Sequence, residues 1–257
     1  MKAVIEKAAD NAVQAYLDEQ YLFTNSLYAL TDRKENGIHY VDVPLSNVIA
    51  MEDKEFNHKE TNWRNAAKKL DCEGWDKVQS QVVQYFTSNL QENTFPAPGS
   101  SNHLKLLVIG QAVSCLIGNH RLAAAMVWKS YMQGGNAHLL KAKCYNYNLH
   151  STVVPILRKC ENKKGKISVY YVDPYECYIL YEGTSFWKVY KQKRVPLSEI
   201  DYNSYNYKLA LFGPKLPKLL MGKLFSKFVR IPDRVIGLLL NDSLTKNIPQ
   251  VPIKYRK

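Results

Sequence analysis

The sequence predicts an α+β protein, because stretches with helical periodicity alternate with short apolar runs of strand length. The clearest pattern lies near the middle of the chain, where two apolar runs, 104–109 and 112–117, flank Gly110 and precede an alanine-rich helix. Charge divides the chain in a second way. Residues 1–150 hold 15 Lys and Arg against 15 Asp and Glu, whereas residues 151–257 hold 20 against 8. The C-terminal part therefore carries the whole net charge of +12.

The N-terminal third predicts helices and one strand. Apolar residues at helical spacing over residues 1–31 predict one helix or two. Asn36-Gly37 is expected to form a turn before the alternating strand 39–43, which Pro44 ends. Two further helices are expected, one from Thr61 or Asn62 to about Leu70 and one from Trp75 to about Asn89.

The middle of the chain predicts a loop, two strands, a helix and a further strand. Two prolines and a glycine make 91–103 a flexible surface loop. After the two apolar strands, a helix is expected from Arg121 to Met132, with Gly134-Gly135 as its C-terminal stop. The run 138–149 then predicts another strand.

The basic C-terminal part predicts several strands linked by turns at Asp173-Pro174 and Glu182-Gly183, followed by a basic amphipathic segment, 215–240, that Pro232 interrupts. A charged linker is expected at 158–166. The expected organisation is an N-terminal helical segment (1–37), an α+β domain (38–150) and a basic, tyrosine-rich α+β region (151–257).

Composition also indicates where the protein works. Five cysteines without a CxxC pair favour a reducing compartment, and no apolar run is long enough to cross a membrane. The N-terminus does not have the pattern of a signal peptide. A cytoplasmic protein without a membrane partner is therefore expected, and its composition fits a phage protein in a bacterial host. The six histidines show no HxH or HxxxH spacing, so no metal site is predicted from them.

The turn Gly118–Arg121 is the strongest candidate for a functional site. The first amides of a helix lack intrahelical partners, and the helix dipole leaves partial positive charge there. Gly118 would let an anion approach closely, and Asn119 tolerates a left-handed or capping conformation. Arg121 could grip phosphate oxygens with two donors, and His120 could donate a hydrogen bond or exchange a proton. A plain structural helix cap remains the alternative.

These residues also carry a family resemblance. The motif Gly118-Asn119-His120-Arg121-Leu122-Ala123-Ala124, with VDVPLSNV and LKLLVIGQAVSCLI before it and LLKAKCYN after it, resembles the core of the ParB/sulfiredoxin superfamily. The resemblance covers about residues 38–147. It implies a ParB/sulfiredoxin-like mixed sheet with helices, in which the turn holds the phosphates of a nucleoside triphosphate, ATP or CTP, with or without Mg²⁺. Sulfiredoxin has a cysteine inside this turn, so sulfinic-acid repair is not expected here.

The resemblance makes three residues candidates for catalysis. His120 would be a donor or an acid/base group, and Asp42 or Glu52 would be a base or a metal ligand. Asp42 lies in a strand, and its side chain is expected on the face opposite that of Val41. The alternative to a catalytic role is a carboxylate that simply faces solvent. Glu52 begins an acidic run ending at His58 that could hold Mg²⁺, although a solvated loop is the commoner explanation of such a run.

The C-terminal part contains the candidates for nucleic-acid binding. Eleven tyrosines lie between Tyr145 and Tyr207 and are interleaved with cations. Aromatic faces beside cations suit stacking on unpaired bases, although tyrosine is also a common strand residue. The cations are Lys188, Lys191, Lys193 and Arg194.

Three functions follow from these patterns. The first is a ParB-like enzyme that binds a nucleotide or DNA phosphate at the turn and catalyses phosphoryl transfer or phosphodiester cleavage, as a nuclease or a nucleotide-dependent phosphotransferase. The second is a DNA-binding module that a nucleotide switches without catalysis. The third is a basic inhibitor that binds a host protein. The oligomeric state is not predicted.

Overall fold

The computed structural model describes residues 1–51, 62–97, 103–173, 176–195, 204–214, 220, 222–223 and 225–252. Within these ranges the protein is α+β, with one mixed sheet, one antiparallel sheet and helices packed around them. The predicted α+β class is therefore confirmed.

The elements follow one another in chain order. The helices are α1 (Lys2–Asn11), α2 (Thr24–Tyr28), α3 (Trp63–Lys68), α4 (Gln79–Thr87), α5 (Asn119–Gln133), α6 (Val153–Glu161) and α7 (Asp233–Leu240). The strands are β1 (Leu22–Phe23), β2 (Thr31–Pro44), β3 (Val48–Met51), β4 (Lys105–Ile109), β5 (Ala112–Ile117), β6 (His138–Leu149), β7 (Gly165–Asp173), β8 (Glu176–Gly183), β9 (Phe186–Val195), β10 (Ser204–Pro214) and β11 (Val229–Arg230).

The mixed sheet has the strand order β1-β3-β5-β4-β6-β2. β1, β3 and β5 run parallel, β4 is antiparallel to β5 and parallel to β6, and β2 is antiparallel to β6. The central strand β4 is apolar at successive positions because both of its faces are covered. Leu106 and Val108 point into one core, and Leu107 and Ile109 point into the other.

Each face of the mixed sheet has its own core. α1, α3, α4 and α5 cover the first face with Ile5, Trp63, Phe86 and Leu122 among the buried residues. The second face packs against α2, α6, α7 and the antiparallel sheet, whose Ile167 belongs to that core. The two sheets therefore lie against each other across a shared apolar layer.

The antiparallel sheet has the order β10-β9-β8-β7-β11. Its inner face packs on the mixed sheet, and the hydroxyl of Tyr207 donates a hydrogen bond to the Ala29 carbonyl. Its outer face carries a small apolar cluster of Leu180, Trp187 and Val189. The strands predicted from the tyrosine-rich sequence are thus present, although Pro174 lies outside the described residues.

The hairpin and the helix predicted in the middle of the chain are confirmed. Gly110 has a φ of +63° between β4 and β5, a left-handed conformation that glycine adopts without strain. α5 begins two residues before the predicted start at Arg121 and ends at Gln133, and the next residue, Gly134, has a φ of +66°. The Asn62 side chain accepts a hydrogen bond from the Asn65 amide and caps α3, as predicted, whereas Thr61 lies outside the described residues.

The expected turn at Asn36-Gly37 is wrong, because β2 continues through it. Glu35 pairs with Tyr147 and Ile38 with Tyr145, so β2 has one extra residue between these pairs. Gly37 has a φ of +130° there. The glycine therefore forms a β-bulge within a strand rather than a turn before one.

Two other segments are more ordered than expected. The segment 91–97, predicted as a flexible surface loop, buries Phe95, whose ring centroid is 4.9 Å from that of Trp75. The rest of that predicted loop, except His103, lies outside the described residues. The charged segment 158–166 forms the end of α6 and the start of β7, because its Cys160 packs in the core between the sheets. The predicted boundary after residue 37 falls within β2.

Candidate functional site

The candidate turn begins where β5 ends and α5 starts. Gly118 has a φ of +98° and precedes the first residue of α5, and the Leu122 amide donates the first helical hydrogen bond to the Gly118 carbonyl at 2.9 Å. A Cβ on Gly118 would lie 3.0 Å from Leu104 Cδ1 and 3.0 Å from two nitrogens of Arg121. Both the backbone conformation and the close approach of Arg121 therefore require glycine here.

The Arg121 side chain folds back against the protein. It is 7% exposed, and its guanidinium carbon lies 5.4 Å from the centroid of the Phe95 ring. Burial raises the pKa of the Tyr85 hydroxyl, and the charge of Arg121 and a hydrogen bond between the two side chains oppose that rise. Arg121 is thus a cation held by Tyr85 and Phe95 at the entrance of α5.

The turn itself is only partly covered. Gly118, Asn119 and His120 are half-buried, whereas Arg121 is buried. An anion at this turn would therefore meet the first amides of α5 and His120 first. Arg121 would contribute its charge from beneath the turn, in place of the exposed two-pronged grip that the sequence suggested.

Sequence reasoning missed both residues that hold Arg121. Tyr85 belongs to α4 and Phe95 to the segment after it, and their ring centroids are 5.0 Å apart. The only local signal was one aromatic residue within a stretch dominated by Pro, Gly and Ser. That composition predicts a surface loop, and no pattern near Phe95 reveals that its ring contacts a cation about 26 positions later.

The proposed base Asp42 does not lie beside the turn. Ile117 of β5 and Tyr40 of β2 belong to one row across the mixed sheet, with β4 and β6 between them. Three strand spacings place the two strands ~14 Å apart. Asp42 and Gly118 therefore lie at the same end of the sheet but on different strands, and the structure does not bring Asp42 to the turn.

Asp42 has a local structural role instead. Its carboxylate accepts a hydrogen bond of 2.9 Å from the Lys141 amide, and the Lys141 ammonium lies 3.8 Å from the same oxygen. Lys141 has a φ of +50° at a point where β6 has one residue more than β2. Asp42 thus stabilises a bulge between the last two strands of the sheet.

The other proposed carboxylate, Glu52, lies outside the described residues, as does the rest of the acidic run to His58. The described strand before it, β3, ends at Met51. Met51 pairs with Cys115 of β5, three residues before Gly118. β3 is therefore the neighbour of β5, the strand that leads into the turn.

The predicted nucleic-acid-binding cations lie on β9. The Lys188 ammonium is 5.4 Å from the centroid of the Phe186 ring and 5.8 Å from that of Phe212. Lys193 and Arg194 also belong to β9, but their side chains lie outside what the structure describes. Lys188 therefore follows the predicted pattern of a cation beside aromatic faces.

Lys191 is already engaged within the antiparallel sheet. Its ammonium lies 2.9 Å from Glu176 Oε1, which also accepts a hydrogen bond from the Tyr178 hydroxyl. The pKa of Glu176 is lowered by the hydrogen bond from Tyr178 and then by Lys191, and the pKa of Lys191 is raised by its hydrogen bonds with Tyr178 and Glu176. This local ion pair offsets the charge that Lys191 could offer to a phosphate.

The structure exposes a second group of cations. The end of α6 and the start of β7 place five exposed basic residues close together in sequence, against one acid, Glu161. We call this group the basic corner; it consists of Arg158, Lys159, Lys163, Lys164 and Lys166. The sequence pointed to it only as a linker.

Two classes of feature are absent from the described ranges. No group of three or more His, Cys, Asp or Glu side chains there is arranged to hold a metal ion. No helix in the same ranges combines the length and the apolar character needed to cross a membrane. None of the five cysteines forms a disulfide, all five are buried, and Cys115 packs in the first core.

Comparisons with family models, curated proteins and solved structures give no match for this chain.

Proposed function

We propose that the chain binds a phosphate of a nucleoside triphosphate or of DNA at the N-terminus of α5. The observation that carries this proposal is the left-handed Gly118, which is followed by two half-buried residues and a buried Arg121. Amides at a helix N-terminus and a cation behind them form a site for an oxyanion. The resemblance to the ParB/sulfiredoxin superfamily supports the same assignment, with ATP or CTP as the nucleotide.

The charge distribution supports a nucleic-acid partner. All of the net positive charge belongs to residues 151–257, and the exposed basic corner lies in that part. Basic surfaces gain affinity for nucleic acid by releasing counterions from its phosphates. The turn and the basic corner would then serve one function, in which DNA binding accompanies nucleotide binding.

A catalytic function is the second candidate, and the position of β3 favours it. Met51 pairs with Cys115, so Glu52 follows a strand adjacent to β5. Glu52 as base or Mg²⁺ ligand, with His120 as acid/base group, would support phosphoryl transfer or phosphodiester cleavage. Asp42 is no longer needed for this mechanism, because it lies on a distant strand.

The phosphate site is tested by His120→Glu, with His120→Gln as the matched control. A carboxylate in the first turn of a helix stabilises the helix but repels a bound phosphate. We expect His120→Glu to weaken the binding of fluorescent ATP or CTP by about 10-fold, equivalent to about 1.4 kcal/mol. His120→Gln should bind nucleotide as the parent does, and the melting temperature of each variant without nucleotide reports whether it is folded.

Nucleotide affinity that is equal in the parent, His120→Glu and His120→Gln would overturn the proposal. Turnover separates the two candidate functions. Release of labelled phosphate or cleavage of labelled DNA that is lost in Glu52→Gln would support catalysis, whereas saturable binding without turnover would support a binding module.

A further inference from the structure

A cleft of about 1020 Å³ opens between the edges of the two sheets. Its walls include β1, the edge strand of the mixed sheet, and β11, the edge strand of the antiparallel sheet. Pockets for small molecules commonly measure about 300–1,000 Å³, so the cleft is large enough for one. None of its described lining residues belongs to the turn Gly118–Arg121.

The floor of the cleft is apolar. Leu22 of β1, Ile49 of β3, Val169 of β7 and Val235 of α7 all line it, and all belong to the buried core between the sheets. The cleft is therefore a continuation of that core toward the surface. A ligand with an apolar or aromatic body could displace water from this floor at little cost.

Aromatic rings stand on both sides of the cleft. On the side of the mixed sheet, Phe23 is half-buried, and the rings of Tyr21 and Trp63, which lie 5.0 Å apart and are buried, also border the cleft. On the side of the antiparallel sheet, the half-buried rings of Tyr170 and Phe228 lie 5.7 Å apart. The half-buried rings of Phe23, Tyr170 and Phe228 therefore offer faces on which a planar group can stack.

The edge strands leave these rings accessible because they are short. β11 has two residues, and they pair with Ser168 and Val169 of β7. Tyr170 and Tyr171, the next residues of β7, therefore lie beyond the end of β11 and line the cleft. β1 is also only two residues long.

Among the described lining residues, the charged side chains are three cations and one acid. Arg234 and Glu19 neutralise each other through hydrogen bonds of 3.0 and 2.5 Å. The other two cations, Lys227 and Arg230, are exposed, and the Lys227 ammonium lies 5.6 Å from the centroid of the Tyr170 ring. Arg230 contacts the exposed Asp233 at 3.3 Å, an ion pair in water that a stronger anion can replace.

We propose that this cleft binds a nucleoside phosphate, with the base stacked among the aromatic rings and the phosphate toward Lys227 and Arg230. Rings on both sides fit a planar heterocycle, and cations beside the rings fit an anion attached to it. A free nucleotide and an unpaired nucleotide of a single strand share this chemistry. The site does not depend on the proposed function of the turn, because the two are built from different residues.

Two variants test the two halves of the site. The double change Lys227→Gln/Arg230→Gln removes the cations at exposed positions, and Tyr170→Leu removes a stacking face. The control is Lys246→Gln, an exposed lysine outside the cleft. Titration calorimetry with AMP, with a ten-nucleotide single strand of thymidines, with adenosine and with inorganic phosphate separates the base from the phosphate.

We expect AMP or the single strand to bind the parent, and each cleft variant to weaken that binding by about 10-fold or more. Lys246→Gln should bind as the parent does. Tighter binding of AMP than of the strand would identify a free nucleotide as the source, and the reverse would identify single-stranded nucleic acid. Adenosine and phosphate alone should each bind more weakly than AMP.

His120→Glu distinguishes this inference from the proposed function. The proposed cleft site is supported if the cleft variants lose binding of AMP or the strand while His120→Glu keeps it. This holds whether or not the turn binds nucleoside triphosphates. The inference is overturned if neither AMP nor the strand binds the parent, or if both cleft variants bind as tightly as Lys246→Gln. Because the double change lies on the surface, its result counts even if Tyr170→Leu unfolds.

Discussion

The Lys129 ammonium donates a hydrogen bond of 2.7 Å to the Phe86 carbonyl, in the last turn of α4. Lys129 lies on α5 and is 1% exposed, so this contact joins two helices inside the first core. A cation at the C-terminal end of a helix is favourable, but its burial is costly. Desolvation accordingly lowers the pKa of Lys129 from 10.5 to about 8.

Lys129 should make stability rise with pH. Between about pH 8 and the unfolded value of 10.5, the unfolded chain binds more protons than the folded chain, so the free energy of unfolding increases with pH. From pH 7.5 to 9.5 this contribution amounts to about 2 kcal/mol. Urea unfolding of the parent and of Lys129→Met at both pH values measures it as a difference.

The parent must be compared with Lys129→Met because buried thiols make the free energy of unfolding fall as the pH rises. Burial raises the pKa of Cys160 and Cys177 to about 11, so their contribution to stability falls as the pH rises through about 9 and above. Lys129→Met keeps these thiols. Parallel stability curves of the parent and the variant would show that burial does not lower the pKa of Lys129.

Gly118→Ala should destabilise the fold by about 1–3 kcal/mol, since alanine is strained at a φ of +98° and its Cβ would crowd Arg121. Gly135→Ala is the matched control, because no atom lies within 4 Å of its added Cβ. Urea unfolding at neutral pH compares the two. Equal stability of both variants would mean that the turn does not hold the left-handed conformation.

Phe95→Ala should cost about 3–5 kcal/mol of folding free energy, as for other buried aromatic residues. Phe95 is 3% exposed and packs against Tyr85, Trp75 and the Arg121 guanidinium. The neighbouring Thr94 is exposed, so Thr94→Ala should change stability by less than about 0.5 kcal/mol. Thermal or urea unfolding measures both. If neither change alters the free energy of unfolding, the segment around Phe95 is the flexible loop that its composition predicts.

The basic corner should contribute to the salt dependence of DNA binding. Lys159→Gln/Lys164→Gln removes two exposed cations, and each lost phosphate contact lowers the slope of log K against log salt by about 0.9. Fluorescence anisotropy with labelled duplex DNA at several salt concentrations measures this slope. Lys69→Gln, in the part of the chain whose charges cancel, is the control. An unchanged slope in the double variant would show that DNA does not contact this corner.

The parts of the fold that were predictable are those with local signals. The β4–β5 hairpin, α5 and the stop at Gly134 follow from apolar runs and glycines a few residues apart. β1 was missed because two residues are too short to show a period. Gly37 was misread because a bulge and a turn both favour glycine, and only the pairing partner distinguishes them.

The site was predictable to the extent that it lies within one segment. Gly118 through Arg121 are contiguous, so their conformation could be inferred from their order. The partners of that segment depend on strand order, which places β6 and β4 between Asp42 and the turn. The cleft could not be foreseen, since it joins residues from Glu19 to Val235 through the stacking of two sheets.

The layer shared by the sheets limits how the chain can be divided for experiments. Leu107 and Ile109 of β4 are fully covered only while Ile167, Ile179 and Ile231 lie in the same core. A fragment ending near residue 150 would expose this apolar surface to solvent and would tend to aggregate rather than fold. Recombinant work should therefore keep the two parts on a single polypeptide.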